Sequence, residues 1–165
     1  GDGTLVLEPT YKHIILLDLD EWGNSIVLDD GLFLACESTL KQKAVRRKTF
    51  SSAFAGGEGF FNLGLKGSGV VCIESDCSRE ELVEITLEDD VVKIDGNLAI
   101  AWSGSLDFTV ERAGKSLLGS AASGEGLVNV YRGTGKVLLA PVGNQAMKPQ
   151  QVIEKEPVIV GDDDE

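Results

Sequence analysis

A chain of 165 residues with 42% hydrophobic content can fill one well-buried domain or two small fused ones, which excludes disorder throughout. Fifteen Lys plus Arg against 27 Asp plus Glu give a net charge of −12, which opposes binding to a nucleic-acid backbone or an anionic membrane surface. No apolar run approaches the ~20 residues of a membrane helix and no basic-then-apolar leader is visible, although the chain opens abruptly at Gly1, which leaves room for an upstream targeting segment.

Strands are predicted almost everywhere. Runs rich in Val, Ile, Leu and Phe at 4–7, 14–19, 26–28, 32–36, 60–65 and 70–73 are bounded by Gly, Asp, Asn or Ser. Ser78 followed by Glu81 reads as a helix capping box ahead of good helix formers. The internal repeat described below outranks that propensity, so 82–87 is assigned to a strand. Further strands are expected at 91–94, 97–102, 106–111, 127–131 and 136–140. Leu106, Phe108 and Val110 alternate with polar residues and should share a core face. From about residue 144, Pro149, Pro157 and the terminal Gly161-Asp162-Asp163-Asp164-Glu165 predict a mobile acidic tail, with 151–160 as a candidate edge strand.

The chain repeats itself. Gly67-Ser68-Gly69-Val70-Val71 reads like Gly133-Thr134-Gly135-Lys136-Val137 and like Gly1-Asp2-Gly3-Thr4-Leu5, with starts at 1, 67 and 133. Gly57-Glu58-Gly59-Phe60-Phe61-Asn62 recurs as Gly124-Glu125-Gly126-Leu127-Val128-Asn129, and Asp30-Gly31 as Asp95-Gly96. The expected organisation is a β unit over 1–66, a second over 67–132, a strand of a third, partial unit over 133–143, and the flexible tail over 144–165. The fold class is all-β.

The abundant glycine invites a phosphate-loop reading, which fails because both Gly56-Gly57-Glu58-Gly59 and Gly67-Ser68-Gly69 run into strands, where a phosphate loop needs a helix. Gly57, Gly59, Gly124 and Gly126 are instead expected at turns with positive φ or at close strand passages. Glu58 and Glu125, each between glycines, are weighed as a carboxylate pair for acid–base work and read as turn residues that accept backbone amides. Asn62 and Asn129 suit bonds to nearby backbone. His13 reads as a partly exposed strand residue, and Trp22 and Trp102 as core or interface. Cys36, Cys72 and Cys77 form no C-x-x-C pair and have one histidine to join them, so they read as buried thiols of a reducing compartment. No catalytic residue, metal or cofactor is expected.

One stretch departs from the acidic background. Residues 41–48 hold Lys41, Lys43, Arg46, Arg47 and Lys48, and an extended backbone sets Lys41 and Lys43 on one side, as a stripe for an anion or as edge lysines that prevent aggregation. The comparable place in the second unit holds Asp107, Thr109 and Glu111, so these basic and acidic faces are expected to meet each other or to meet between copies.

The ordered set of Leu32-Phe33-Leu34-Ala35, the Gly-Glu-Gly elements at 57 and 124 and the Gly-x-Gly that follows each resembles the altered-inheritance-of-mitochondria protein family over roughly 1–142. That family is similar in fold to the tryptophan RNA-binding attenuation protein. The resemblance implies sandwich-like, double-stranded β-helix modules, repeated within a chain and given to ring-like association, with no active site. It also implies a further unit before Gly1. The resulting expectation is a non-enzymatic scaffold or oligomeric interaction protein of the cytoplasm, or of mitochondria in a eukaryote. The alternatives are a protein that binds a small molecule in a crevice between units, and an anion or nucleic-acid contact through 41–48.

Overall fold

The computed structural model describes residues 2–7, 11–46, 61–95, 98–112 and 127–141. Among them the chain is all-β. The strands are β1 (His13–Asp18), β2 (Ser25–Leu28), β3 (Phe33–Cys36), β4 (Lys41–Arg46), β5 (Phe61–Lys66), β6 (Val70–Ser75), β7 (Val83–Asp95), β8 (Ala99–Ser103), β9 (Asp107–Arg112) and β10 (Leu127–Leu139), with one 3-10 turn over Leu19–Trp22. One sheet runs β1-β6-β3; the other runs β4-β5-β2-β8-β10-β7, with β9 also on β10, and every pairing is antiparallel.

Burial follows the strand pleat. Ser25–Leu28 is an unbroken apolar run after its serine because β2 is covered on both sides: Ile26 and Leu28 enter one core with Ile15, Leu17, Trp22 and Ile73, while Val27 enters a second with Trp102, Leu106, Tyr131 and Val137. Leu106 and Phe108 pack into that second core, as their alternation predicts. Trp22 and Trp102 are both buried, and His13 is an exposed residue of β1.

Several strand registers correspond at an offset of 66 positions. Phe33, Ala35 and Cys36 pair with Ile73, Cys72 and Val71; Ala99, Ala101 and Trp102 pair with Leu139, Leu138 and Val137, each partner 66 positions further on, with the register slip in the same place. Lys41 faces Lys66 as Asp107 faces Arg132, and Ser25 faces Lys66 as Val91 faces Arg132, again 66 positions apart. One bend differs. Asp18 and Ser25, opposite Val70 and Lys66, are separated by residues 19–24, whereas Thr86 and Val91, opposite Lys136 and Arg132, are separated by 87–90 alone. The first half makes the bend with a 3-10 turn capped by Gly23 at φ 68; the second makes it inside β7, with Asp89 at φ 53.

Several expectations change as a result. Residues 83–95 form one strand in place of two, and 127–139 likewise, so Gly133 does not open a separate element. The glycines there mark an irregularity within a strand, where the β7 register shifts between Gly133 and Gly135. Gly67 and Gly69 carry the chain from β5 in one sheet to β6 in the other, a bend with close approach to Thr39 and Glu37. All four take positive φ, 137° and 146° in the first pair and 114° and 158° in the second. Residues 4–7 form no strand, because none of the described strands lies alongside to satisfy their backbone, and Leu5, Val6 and Leu7 are exposed. The capping signal at Ser78 is half realised: its amide donates to Glu81 Oε2 at 2.9 Å, but the chain makes one turn over 79–81 and enters β7. Gly57, Glu58, Gly59, Gly124, Glu125 and Gly126, the strand end at Phe60 and the tail over 144–165 lie outside the described residues.

Candidate functional site

The lysines expected on one side of β4 gain a neighbour. In an antiparallel pair, residues directly opposite share a face. Lys41 stands opposite Lys66 and Lys43 opposite Gly64, so Lys41, Lys43 and Lys66 form one exposed basic patch. None of the three makes an ion pair among the described residues. Like charges directly across a ladder repel, so this patch is unfavourable to the fold by itself. Arg46 ends β4 opposite Phe61, while Arg47 and Lys48 lie outside the described residues. Lys66 had only its place before Gly67-Ser68-Gly69 to signal it; the strand register that sets it beside Lys41 is not readable from sequence.

The patch borders a groove of about 350 Å3 lined by residues of β2, β4, β5, β8 and β9. Val27, Val45 and Gly64 form its floor, Trp102 and Phe108 line its far side, and Lys43, Lys66 and Asn62 supply polar groups. Asp107 lines it as well, so the basic strand β4 and the acidic strand β9 border a common groove without pairing as strands. The far side is an aromatic cluster: Trp102 lies 5.0 Å from Phe108 and 5.4 Å, edge-on, from Tyr131 between ring centroids. A shallower depression of about 520 Å3 borders β4 and β5 elsewhere, shares Lys43 and Asn62, and adds Asp29, Phe33 and Gln42.

Asn62 is 4% exposed. Its amide nitrogen donates to Asp29 Oδ1 at 3.4 Å, so its side-chain partner is another side chain and not the nearby backbone that its position in the sequence suggests.

The corresponding face of the second half is electrostatically complete. Arg132 bonds Glu111 through a short charge-assisted contact and donates to Thr109 Oγ1 at 2.9 Å, and Lys93 Nζ lies 3.3 Å from the other Glu111 oxygen. These cations hold the Glu111 carboxyl below its ordinary range, the hydrogen bond from Arg132 first. Elsewhere, burial and then the charge of Glu74 push the Cys72 thiol up. The three cysteines are free thiols, of which Cys77 is buried as expected while Cys36 and Cys72 are only half-buried, and the described residues hold no cluster of His, Cys, Asp and Glu suited to a metal. No helix among them is long and apolar enough to cross a membrane.

Two antiparallel sheets, with a mixed apolar and basic groove beside the β2–β8 pair of the larger one, define the class of protein. The chain belongs to the mitochondrial biogenesis AIM24 family, which it matches over residues 1–142. It is 32% identical over 140 residues to the uncharacterized protein M6_Spy0233 of Streptococcus pyogenes serotype M6, covering 84% of this chain and 54% of that protein. Its fold is similar to the crystal structure of protein SPYM3_0169 from Streptococcus pyogenes, with a TM-score of 0.61 and 29% identity over 81% of this chain and 56% of the other. The chain thus spans about half the length of these relatives.

Proposed function

We propose that this chain is a non-enzymatic interaction module made of two copies of one sheet-forming unit, 1–66 and 67–132, and that it acts by joining further copies edge to edge. The observation that carries this reading is the pair β2–β8, where Ile26, Val27 and Leu28 meet Ser103, Trp102 and Ala101. Shifted by 66 positions, the first of these edges is Val92, Lys93 and Ile94 on β7; shifted back, the second is Glu37, Cys36 and Ala35 on and beside β3. Both edges are unpaired among the described strands. An edge of one kind at one end and its complement at the other make a head-to-tail contact, which closes into a ring or extends. Free thiols support a reducing compartment, the cytoplasm, or the mitochondrion in a eukaryote.

Native mass spectrometry of the chain tests this. Assemblies of more than one copy are expected, and Val91→Lys, which puts a charge on an exposed position of the β7 edge, should shift them to the monomer. A monomer at all concentrations would reject association between copies.

A second reading has its own observation. The groove lined by both halves has an apolar floor and a few converging polar groups, the make-up of a small-molecule site, and it lies where a crevice between units is expected.

A further inference from the structure

From the two equivalent faces of the sheet we infer the chemistry of the occupant: the groove takes an organic carboxylate with an apolar body, its charge at Lys43 and Lys66 and its body on Val27, Val45 and the Trp102–Phe108 wall. This rests on the second reading above and gives it a ligand class.

The argument is a substitution pattern between two ladders in the same register. Where the second half has Glu111, opposite Val128, the first has Val45, opposite Asn62. Arg132 has its counterpart in Lys66, Lys93 in Val27, and Val130 in Gly64. In the second half Arg132 and Lys93 meet Glu111, and Asp107 stands opposite Arg132, two cations against two carboxylates. In the first half the same positions hold Lys66, Val27, Val45 and Lys41, with Lys43 where Thr109 stands, so cations are kept and both carboxylates are lost. Val45 fills the space over Gly64 and turns an apolar side chain to the groove. What is missing is therefore carboxylate, and a ligand that carries one would restore the balance found 66 positions later.

Two further observations agree. Asn62 is 4% exposed and lines the groove, and its amide oxygen has no partner among the described residues. A buried polar atom left this way costs ~1–3 kcal/mol unless something meets it. The like-charged neighbours Lys41 and Lys66 are relieved by an anion, and the lining carries two lysines against the single carboxylate of Asp107 within a protein of net charge −12.

The test uses 2-naphthoate and decanoate as probes, followed by calorimetry on the 165-residue chain, with 2-naphthalenemethanol as the neutral analogue. Saturable binding of one acid, at least about tenfold tighter than the alcohol and weakened by added salt, is expected. Lys66→Ala should reduce it by about tenfold. Val45→Glu, which rebuilds the Glu111 arrangement beside Lys66, should abolish it, and Arg132→Ala on the other face should leave it unchanged. Lys43→Ala serves as a second variant should Val45→Glu not fold. Equal affinity for acid and alcohol would overturn the carboxylate inference and leave the crevice reading standing. No binding of any probe would remove both.

Discussion

Glu37 and Val70 are joined by a hydrogen bond from the Val70 amide to Glu37 Oε2 at 2.8 Å; 66 positions on, the Lys136 amide donates to Ser103 Oγ at 3.0 Å. Each bond satisfies the strand where it resumes after a Gly-x-Gly, at the point where the regular ladder is interrupted. The two differ in solvent access. Ser103 is 1% exposed, and Glu37 is exposed. Ser103→Ala should therefore cost ~1–3 kcal/mol, because the amide is left buried and unmet. Glu37→Ala should cost under about 0.5 kcal/mol, because water replaces the carboxylate. Urea unfolding of the two variants checks this; equal losses would show that water does not reach the Val70 amide.

A Cβ on Gly64 would lie 2.7 Å from Val45 Cγ2, closer than packed carbons come. Gly64→Ala should destabilise by ~1–3 kcal/mol through overpacking. Val45→Ala removes the methyl groups in the way, so the double variant should recover part of the loss, a coupling that a double-mutant cycle reads directly. Strict additivity would place the strain elsewhere.

Glu111 makes a pH prediction. Its pKa is lowered in the folded state, chiefly by the hydrogen bond from Arg132 and then by Lys93. A lowered folded pKa means stability that is present above the unfolded value and lost as pH falls through the folded one. The carboxylate should titrate below the ordinary glutamate range by NMR, and Arg132→Met should return it toward that range. Titration unchanged by Arg132→Met would show that the contact is not kept in solution.

How much of this was legible follows from what each feature depends on. The strands of 13–36 and 61–75 were readable because Gly, Asp and Ser interrupt short apolar runs, whereas β4 is a basic segment with no such signal. The joining of 83–87 to 91–95 was not, because a bulge at Glu88-Asp89 keeps the strand going with residues that usually mark a turn. Lys41 and Lys43 were visible as a stripe through their period of two. Lys66 was hidden, because its partnership with Lys41 is a cross-strand register that spans 25 positions of sequence, from 41 to 66. Glu37 and Ser103 do the same work with different side chains, so no similarity search within the chain aligns them.

Trp102 links the two halves. It sits on β8 opposite Val27 on one side and Val137 on the other, and its ring touches both Phe108 and Tyr131. β2–β8 is the strand pair that joins the β4-β5-β2 part of the larger sheet to the rest, so losing that ring should loosen the join before it loosens either half. Trp102→Ala should cost ~3–5 kcal/mol, the range for emptying a buried aromatic site, and Trp102→Phe clearly less. Hydrogen exchange locates the effect. Amides of β2 and β8 should lose protection in Trp102→Ala ahead of those in β1 and β6, which belong to the other sheet. A uniform loss across all strands would mean that the halves open as one cooperative body, with no weaker join at β2–β8.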